Sequence, residues 1–107
     1  MRQTLLRTAG AALLLAASLP APAQDAKALS LKSLAATCAN CHGTNGRAVE
    51  GSAVPGLAGL NATYFVEQMK AFKSGTRQAT VMHQLAKGYS DEQIDAIAAY
   101  FAARRPR

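Results

Sequence analysis

Two cysteines and a histidine fall within the five residues Cys38-Ala39-Asn40-Cys41-His42. This spacing is typical of the attachment sequence for a c-type haem. One turn of helix would carry both thiols to the two vinyl groups of one porphyrin, where each adds to form a thioether. The residue after the second cysteine would direct its imidazole towards the iron from the same side. The motif therefore predicts one covalently bound haem c.

Three other interpretations explain the motif less well. A structural zinc site needs a further pair of Cys or His ligands, and the second histidine of the chain, His83, stands alone. A thioredoxin-like redox pair needs a surrounding strand–helix–strand pattern, which the sequence does not show. A disulfide between Cys38 and Cys41 would leave His42 without a role. Haem attachment accounts for all three side chains.

The iron would also need a sixth ligand or an open position, and in electron carriers this ligand is commonly a thioether, which raises the reduction potential. Of the three methionines, Met1 leaves with the predicted signal peptide and Met69 lies midway along an apolar helical stripe. Met82 lies at the end of a connector, from which it could approach the iron opposite His42. We predict Met82 as the distal ligand. The neighbouring His83 is the alternative ligand, although the role of a partly exposed surface residue fits it better.

A proximal histidine needs an acceptor for its other ring nitrogen, because that bond fixes the tautomer and the orientation of the imidazole. Residues 43–59 are rich in glycine and are predicted to form a long loop around the haem edge. Within this loop, the carbonyl of Pro55 is the candidate acceptor for His42, and Leu57 would pack on the haem face. The alternative, in which Pro55 is only a turn residue, stays open.

The first 23 residues are predicted to be a secretory signal peptide. Arg2 and Arg7 give a positive start, residues 9–19 are apolar, and Pro20 ends the run before Ala21-Pro22-Ala23. We expect cleavage after Ala23, export to the periplasm and no stable membrane span after cleavage. The alternative is a retained membrane anchor, but the apolar run is short against the roughly 20 residues that a helical span needs.

Cleavage would leave a single domain, residues 24–107, which is small for a self-sufficient apolar core. The haem motif uses both cysteines of the chain, so the haem itself would act as the covalent staple. The predicted fold class is all-α, with the N- and C-terminal helices crossing beside the haem. Helical spacing of apolar residues and good N-caps predict these elements: helices near residues 27–39, 62–73 and 91–103, with Asn61 capping the second and Ser90 the third.

The chain is basic, with 12 Lys and Arg against 6 Asp and Glu and a net charge of +6 at pH 7. Nucleic-acid binding is a poor explanation for this charge, because the basic residues are scattered and no nucleic-acid-binding motif accompanies them. Two interpretations stay open. One is a modest positive face that steers an acidic redox partner, and the other is a merely solvated surface.

Four blocks of sequence, taken in order, carry a resemblance to a known family. They are Cys38-Ala39-Asn40-Cys41-His42-Gly43; Pro55-Gly56-Leu57 with Ala58-Gly59-Leu60; Tyr64-Phe65-Val66-Glu67-Gln68-Met69 continuing to Phe72-Lys73-Ser74-Gly75; and Met82 followed by Gly88-Tyr89-Ser90-Asp91 and Ala98-Ala99-Tyr100-Phe101. Together they resemble the class I cytochromes c, and within them the small bacterial c553 and c4 types. The resemblance implies that His42 is the proximal ligand, that Met82 is the distal ligand and that the carbonyl of Pro55 holds His42.

One position departs from that family's pattern. The glycine expected eight residues before the first cysteine is Ser30 in this chain. Since glycine permits the closest crossing of the first and last helices, we expect a looser contact near Tyr100.

Residues 72–101 are more narrowly similar to the cytochrome subunits of flavocytochrome c sulfide dehydrogenases. The similarity is strongest in Ala79-Thr80-Val81-Met82 and in Ala86-Lys87-Gly88-Tyr89-Ser90-Asp91. Such subunits accept electrons from a flavoprotein that oxidises sulfide. The resemblance therefore implies redox proteins as partners, with a flavoprotein dehydrogenase as donor and an oxidase or another cytochrome as acceptor.

The predicted function is one-electron transfer by an iron that alternates between Fe(III) and Fe(II), which requires no catalytic residue of the protein. Two alternatives stay open. The chain could be a tightly bound cytochrome subunit, with one face buried against its flavoprotein. It could also be a haem enzyme or gas sensor, which would need an open or labile sixth position on the iron.

Overall fold

The structure, a computed structural model, describes residues 23–106, and every regular element within that range is helical. The prediction of an all-α fold is confirmed. The predicted signal peptide lies outside the described residues except for Ala23. The elements are α1 (Ala23–Ala36), α2 (Ala39–His42), a short 3-10 helix (Thr44–Gly46), α3 (Ala62–Ser74), α4 (Met82–Ala86) and α5 (Asp91–Ala102).

The first helix differs from its prediction at both ends. It begins at Ala23 and ends at Ala36, so the expectation of one continuous helix over residues 27–39 is wrong. The chain leaves the helix in a tight turn, in which Thr37 N donates to Leu34 O at 3.3 Å and Cys38 N donates to Ala35 O at 3.2 Å. Such i to i−3 bonds commonly close the last turn of a helix. The haem motif therefore starts in a turn and continues in a separate short helix.

The predicted ends of α3 are confirmed within one residue. Asn61 caps the helix, because its Oδ1 accepts a hydrogen bond from Tyr64 N at 3.1 Å. Gly75 ends it in the left-handed conformation, with φ of 82°. Phe65 and Met69 are buried along the inner face of the helix, as the spacing of apolar residues predicts.

Lys73, near the end of α3, is held by two hydrogen bonds. Its Nζ donates to Tyr89 O at 2.7 Å and to Asp91 Oδ1 at 3.3 Å. Its side chain is 32% exposed. Lys73 therefore joins the end of α3 to the turn between α4 and α5.

The last helix, α5, begins with a capping box. Ser90 Oγ accepts from Gln93 N at 3.1 Å, and Gln93 Oε1 accepts from Ser90 N at 2.9 Å. The helix ends one residue earlier than predicted. Its inner face is buried as expected and carries Ile94, Ile97, Ala98, Tyr100 and Phe101.

The core forms where α5 packs against α1 and α3, while α4 packs on α3. The rings of Phe65 and Phe101 lie 6.0 Å apart, and Tyr100 meets Phe101 edge to face at 5.2 Å. Large side chains that are fully buried are few, namely Phe101, Ile94 and Ile97. This small core agrees with the expectation that the domain needs a staple. Its buried apolar members are Ala35, Leu57, Phe65, Met69, Ala86, Ile94, Ile97, Ala98, Tyr100 and Phe101.

A cavity lies beside Tyr100, where a looser contact is expected, but Ser30 does not line it. Ser30 is exposed, so it does not line the buried contact between α1 and α5. The cavity has a volume of about 280 Å³, and its walls include Ala35 and Ala36. The cavity thus lies between the end of α1 and Tyr100 of α5.

Within residues 23–106, the helices are all too short or too polar to cross a membrane.

Candidate haem-attachment site

The two cysteines lie one turn of helical backbone apart. Cys38 occupies the N-cap of α2 with helical dihedral angles, and its carbonyl accepts hydrogen bonds from Cys41 N at 3.4 Å and His42 N at 3.0 Å. The two cysteines are not joined by a disulfide. Cys38 is half-buried and packs on the core, whereas Cys41 is exposed. Short-range hydrogen bonding thus arranges both sulfurs along one side of a single turn.

The half-buried position of Cys38 changes its acidity. Burial raises the pKa of the Cys38 thiol above its ordinary value.

His42 is oriented by the loop that follows it. Its Nδ1 lies 2.7 Å from the carbonyl oxygen of Pro55. A carbonyl can only accept a hydrogen bond, so Nδ1 carries the proton and Nε2 keeps its lone pair in the neutral imidazole. The hydrogen bond that the sequence analysis expects is present, and it leaves Nε2 as the nitrogen able to bind a metal.

Glycines close the loop that brings Pro55 to His42. Gly43 has a φ of 85°, and a Cβ at this position would collide with the carbonyl of Arg47. Gly46 is buried, and its carbonyl accepts from Leu57 N at 2.7 Å and Ala58 N at 3.0 Å. This pair of bonds places Leu57 in the core, where it is 9% exposed. The loop is thus folded back on itself and presents Pro55 to His42.

The two methionines of the described chain lie in different surroundings. Met69 is 6% exposed on the inner face of α3, in the middle of the core. Met82 is the first residue of α4, is half-buried, and packs against the edge of the core. Met82 is therefore only partly enclosed by protein, whereas Met69 is buried in the core.

His83 is partly exposed, as predicted, except at one ring nitrogen. The residue as a whole is half-buried, but its Nδ1 is buried and has no hydrogen-bond partner among residues 23–106. A buried polar nitrogen without a partner is uncommon in proteins. The local sequence around His83 does not signal this burial, because the burial depends on how α4 packs on its neighbours.

A cavity of about 770 Å³ lies beside α2. Its lining includes Cys41, Thr44 and Arg47. None of His42, Leu57 and Met82 lines it. It therefore lies on the side of α2 that faces the loop and the C-terminus.

The residues present fit a covalently held haem. Two cysteines outside any disulfide lie one turn apart, and Nδ1 of the following imidazole is hydrogen-bonded, which leaves Nε2 for a metal. Cys38, Leu57 and Met82 belong to or border one apolar core. Cys38, Cys41 and His42 are adjacent in sequence, and only the fold brings Pro55 to them. The described contacts do not join Met82 directly to His42.

The profile of the cytochrome c family matches residues 28–103. The chain belongs to the cytochrome c family. With its two cysteines in the attachment spacing, it carries one covalent haem c, and the predicted membership in this family is confirmed. Electron transfer is accordingly the general function of this domain.

Several curated cytochromes are similar to the chain. It is 43% identical over 68 residues to the cytochrome subunit of sulfide dehydrogenase of Chlorobaculum tepidum, covering 64% of this chain and 60% of that protein. It is 39% identical over 69 residues to the thiosulfate dehydrogenase electron acceptor of Stutzerimonas stutzeri, covering 64% of this chain and 32% of that protein. It is 41% identical over 71 residues to cytochrome c-554(548) of Halomonas halodenitrificans, covering 64% and 84%. The chain thus spans less than two thirds of the first two relatives.

Proposed function

We propose that this chain is a periplasmic electron-transfer protein, with His42 and Met82 as the axial ligands of its one haem c. The observation that carries the proposal is the 2.7 Å contact between His42 Nδ1 and Pro55 O, next to two cysteines one turn apart. Together they leave Nε2 of His42 beside the attachment cysteines. When bound, the haem supplies the one-electron couple between Fe(III) and Fe(II).

In this proposal each side chain has a separate task. Cys38 and Cys41 hold the haem through thioethers, and His42 binds the proximal face of the iron through Nε2. The Pro55 carbonyl keeps the imidazole in one tautomer and one orientation. Leu57 excludes water from the proximal side. Met82 donates its sulfur on the distal side, and a thioether ligand favours Fe(II) and raises the reduction potential.

Residues 24–107 are proposed to be the mature domain, released by cleavage after Ala23. The positive start, apolar run and small residues of the first 23 positions support export. Attachment of a haem through two thiols also fits a compartment outside the cytosol. The retained-anchor alternative would leave the same haem domain tethered to the membrane.

The carrier proposal predicts a six-coordinate iron that exchanges one electron and resists small ligands. Voltammetry of the purified holoprotein should show a reversible wave with a stoichiometry of one electron. Carbon monoxide added to the ferrous protein should leave its spectrum unchanged, because both axial positions are filled by the protein. Rapid formation of a carbon monoxide complex by the untreated protein would contradict the carrier proposal and favour the gas sensor or haem enzyme.

A second candidate function is supported by one comparison. The similarity to the cytochrome subunit of sulfide dehydrogenase of Chlorobaculum tepidum extends over 64% of this chain. On this basis we propose, as the alternative, that the chain is the electron-accepting subunit of a flavocytochrome c sulfide dehydrogenase. The flavoprotein would then be a tightly bound donor, and an oxidase or another cytochrome would be the acceptor.

Size-exclusion chromatography of a native soluble extract separates these two functions. Haem and flavin absorbance would be followed together, at low salt and again at high salt. High salt weakens binding that depends on surface charges but leaves binding through an apolar interface intact. The carrier elutes as a small haem protein at both salt concentrations. The subunit co-elutes with flavin at a mass well above one small domain. Co-elution that persists at high salt would overturn the free-carrier proposal and make sulfide oxidation the assay to run.

A further inference from the structure

A hydrogen bond joins the haem-attachment side of the chain to the element that carries Met82. Thr37 Oγ1 and the hydroxyl of Tyr89 lie 2.6 Å apart, although the two residues are separated by 52 positions in sequence. Thr37 directly precedes the first attachment cysteine. Tyr89 lies in the turn after α4, whose first residue is Met82. This contact thus joins the residue before Cys38 to the turn that follows the helix of Met82.

The direction of this bond follows from the hydrogens available. A threonine hydroxyl has one hydrogen, and that of Thr37 is donated to Leu34 O at 2.8 Å. Tyr89 must therefore donate to Thr37 Oγ1. The result is a chain of hydrogen bonds from Tyr89 through Thr37 to Leu34, at the end of α1. Successive bonds of this kind polarise and strengthen one another.

Tyr89 belongs to the same hydrogen-bonded unit as α4. The backbone N–H of Tyr89 donates to Ala86 O at 3.3 Å, and Gly88 N donates to Leu85 O at 3.0 Å. The turn therefore continues directly from α4. The N-terminal end of α4 lacks a side-chain cap, since Val81 in the N-cap position makes no such bond. Ala86 anchors α4 in the core, and the bonds of Tyr89 add a contact at the C-terminal end of residues 81–89.

We propose that Tyr89 is a positioning residue that holds Met82 on the iron through its bond to Thr37. The hydroxyl bond forms when residues 81–89 seat Met82 at the distal position, and it breaks when this unit moves away. This inference rests on the proposed role of Met82 as distal ligand. Lys73 holds the main chain of Tyr89 separately, through its carbonyl at 2.7 Å, so Tyr89→Phe removes the hydroxyl bond alone.

The test is the binding of imidazole to the ferric holoprotein, in which imidazole must displace the methionine to reach the iron. The apparent affinity for imidazole depends on the fraction of protein with the distal position open. One lost hydrogen bond changes such an equilibrium roughly two- to tenfold. We therefore expect Tyr89→Phe to bind imidazole two to ten times more tightly than the wild type. Thr37→Val should have the same effect, and Thr37→Ser should restore the wild-type affinity.

Tyr100→Phe is the matched control. The Tyr100 hydroxyl also makes one cross-chain hydrogen bond, to Asn45 Oδ1 at 3.0 Å. That bond joins α5 to the 3-10 helix and does not touch residues 81–89. Both tyrosine variants should lose a comparable amount of global stability in denaturant. Only Tyr89→Phe should gain affinity for imidazole.

Two results would overturn the inference, and they differ. Equal imidazole affinities for Tyr89→Phe, Tyr100→Phe and the wild type would show that Tyr89 contributes stability without positioning Met82. The second result concerns the proposed function itself. If Met82→Ala has the same ferric spectrum and imidazole affinity as the wild type, Met82 is not the distal ligand, and the inference about Tyr89 fails with it.

Discussion

A chain with both Cys38→Ser and Cys41→Ser should be colourless and should not fold into a stable domain. Serine is close to cysteine in size but cannot form a thioether, so no haem would be attached to the chain. The protein core alone buries few large side chains fully, namely Phe101, Ile94 and Ile97. A core of a very small domain rarely supplies more than about 3–5 kcal/mol by itself, so without the haem too little stabilisation should remain to hold the fold.

This expectation is tested by haem staining of a denaturing gel together with circular dichroism of the purified chain. The wild type should retain haem on the gel and unfold cooperatively. Cys41→Ser alone provides an intermediate control, because one thioether at Cys38 remains and the protein should keep colour with reduced stability. A colourless double variant that still unfolds cooperatively would refute the view that the haem staples the fold.

Met82→Ala should lower the reduction potential and change the spectra of both oxidation states. Axial ligands set haem potentials over a range of about 0.8 V, and removing a thioether that favours Fe(II) should lower the potential by on the order of 0.1 V. Alanine leaves a gap on the distal side, so carbon monoxide should now bind the ferrous protein. Voltammetry and absorption spectroscopy of the purified variant measure both effects.

Two further variants make the Met82 prediction specific. Met69→Leu alters the other methionine of the described chain, which is buried in α3, and should leave the potential and the spectra unchanged. His83 is next to Met82 and has a buried Nδ1 without a partner in the described part of the chain. If its imidazole replaces the lost thioether, Met82→Ala stays low-spin with a lowered potential, and Met82→Ala with His83→Ala becomes high-spin. Unchanged spectra in Met82→Ala would rule out Met82 as ligand.

The free-carrier and subunit functions place different demands on the same surface. A free carrier meets its partners briefly, and scattered basic residues can speed such encounters through long-range attraction. A permanent subunit buries an apolar face against its partner. Val81, the N-cap of α4, and Leu85, near the end of α4, are 49% and 47% exposed. They lie on the same element as Met82, so a tightly bound flavoprotein could cover them without changing the ligands.

Those features that depend on neighbours in the chain could be predicted from the sequence. The attachment motif is one helical turn, and its chemistry follows from residue types at fixed spacing. Asn61 and Ser90 cap their helices because the cap and its partner are three residues apart. The burial of Ile94 and Phe101 follows from the helical period of apolar residues in α5.

Only the tertiary structure decided the features that depend on distant partners. The Pro55 carbonyl was one of two possibilities from sequence, and the folded loop brings it within 2.7 Å of His42 across 13 residues. Three features carry no local signal in the sequence: the hydrogen bond between Thr37 and Tyr89, the hydrogen bond from Lys73 to the Tyr89 carbonyl, and the burial of His83 Nδ1. Each requires two elements to meet in space, and a periodic pattern shows which face of a helix is buried but not which residue lies opposite.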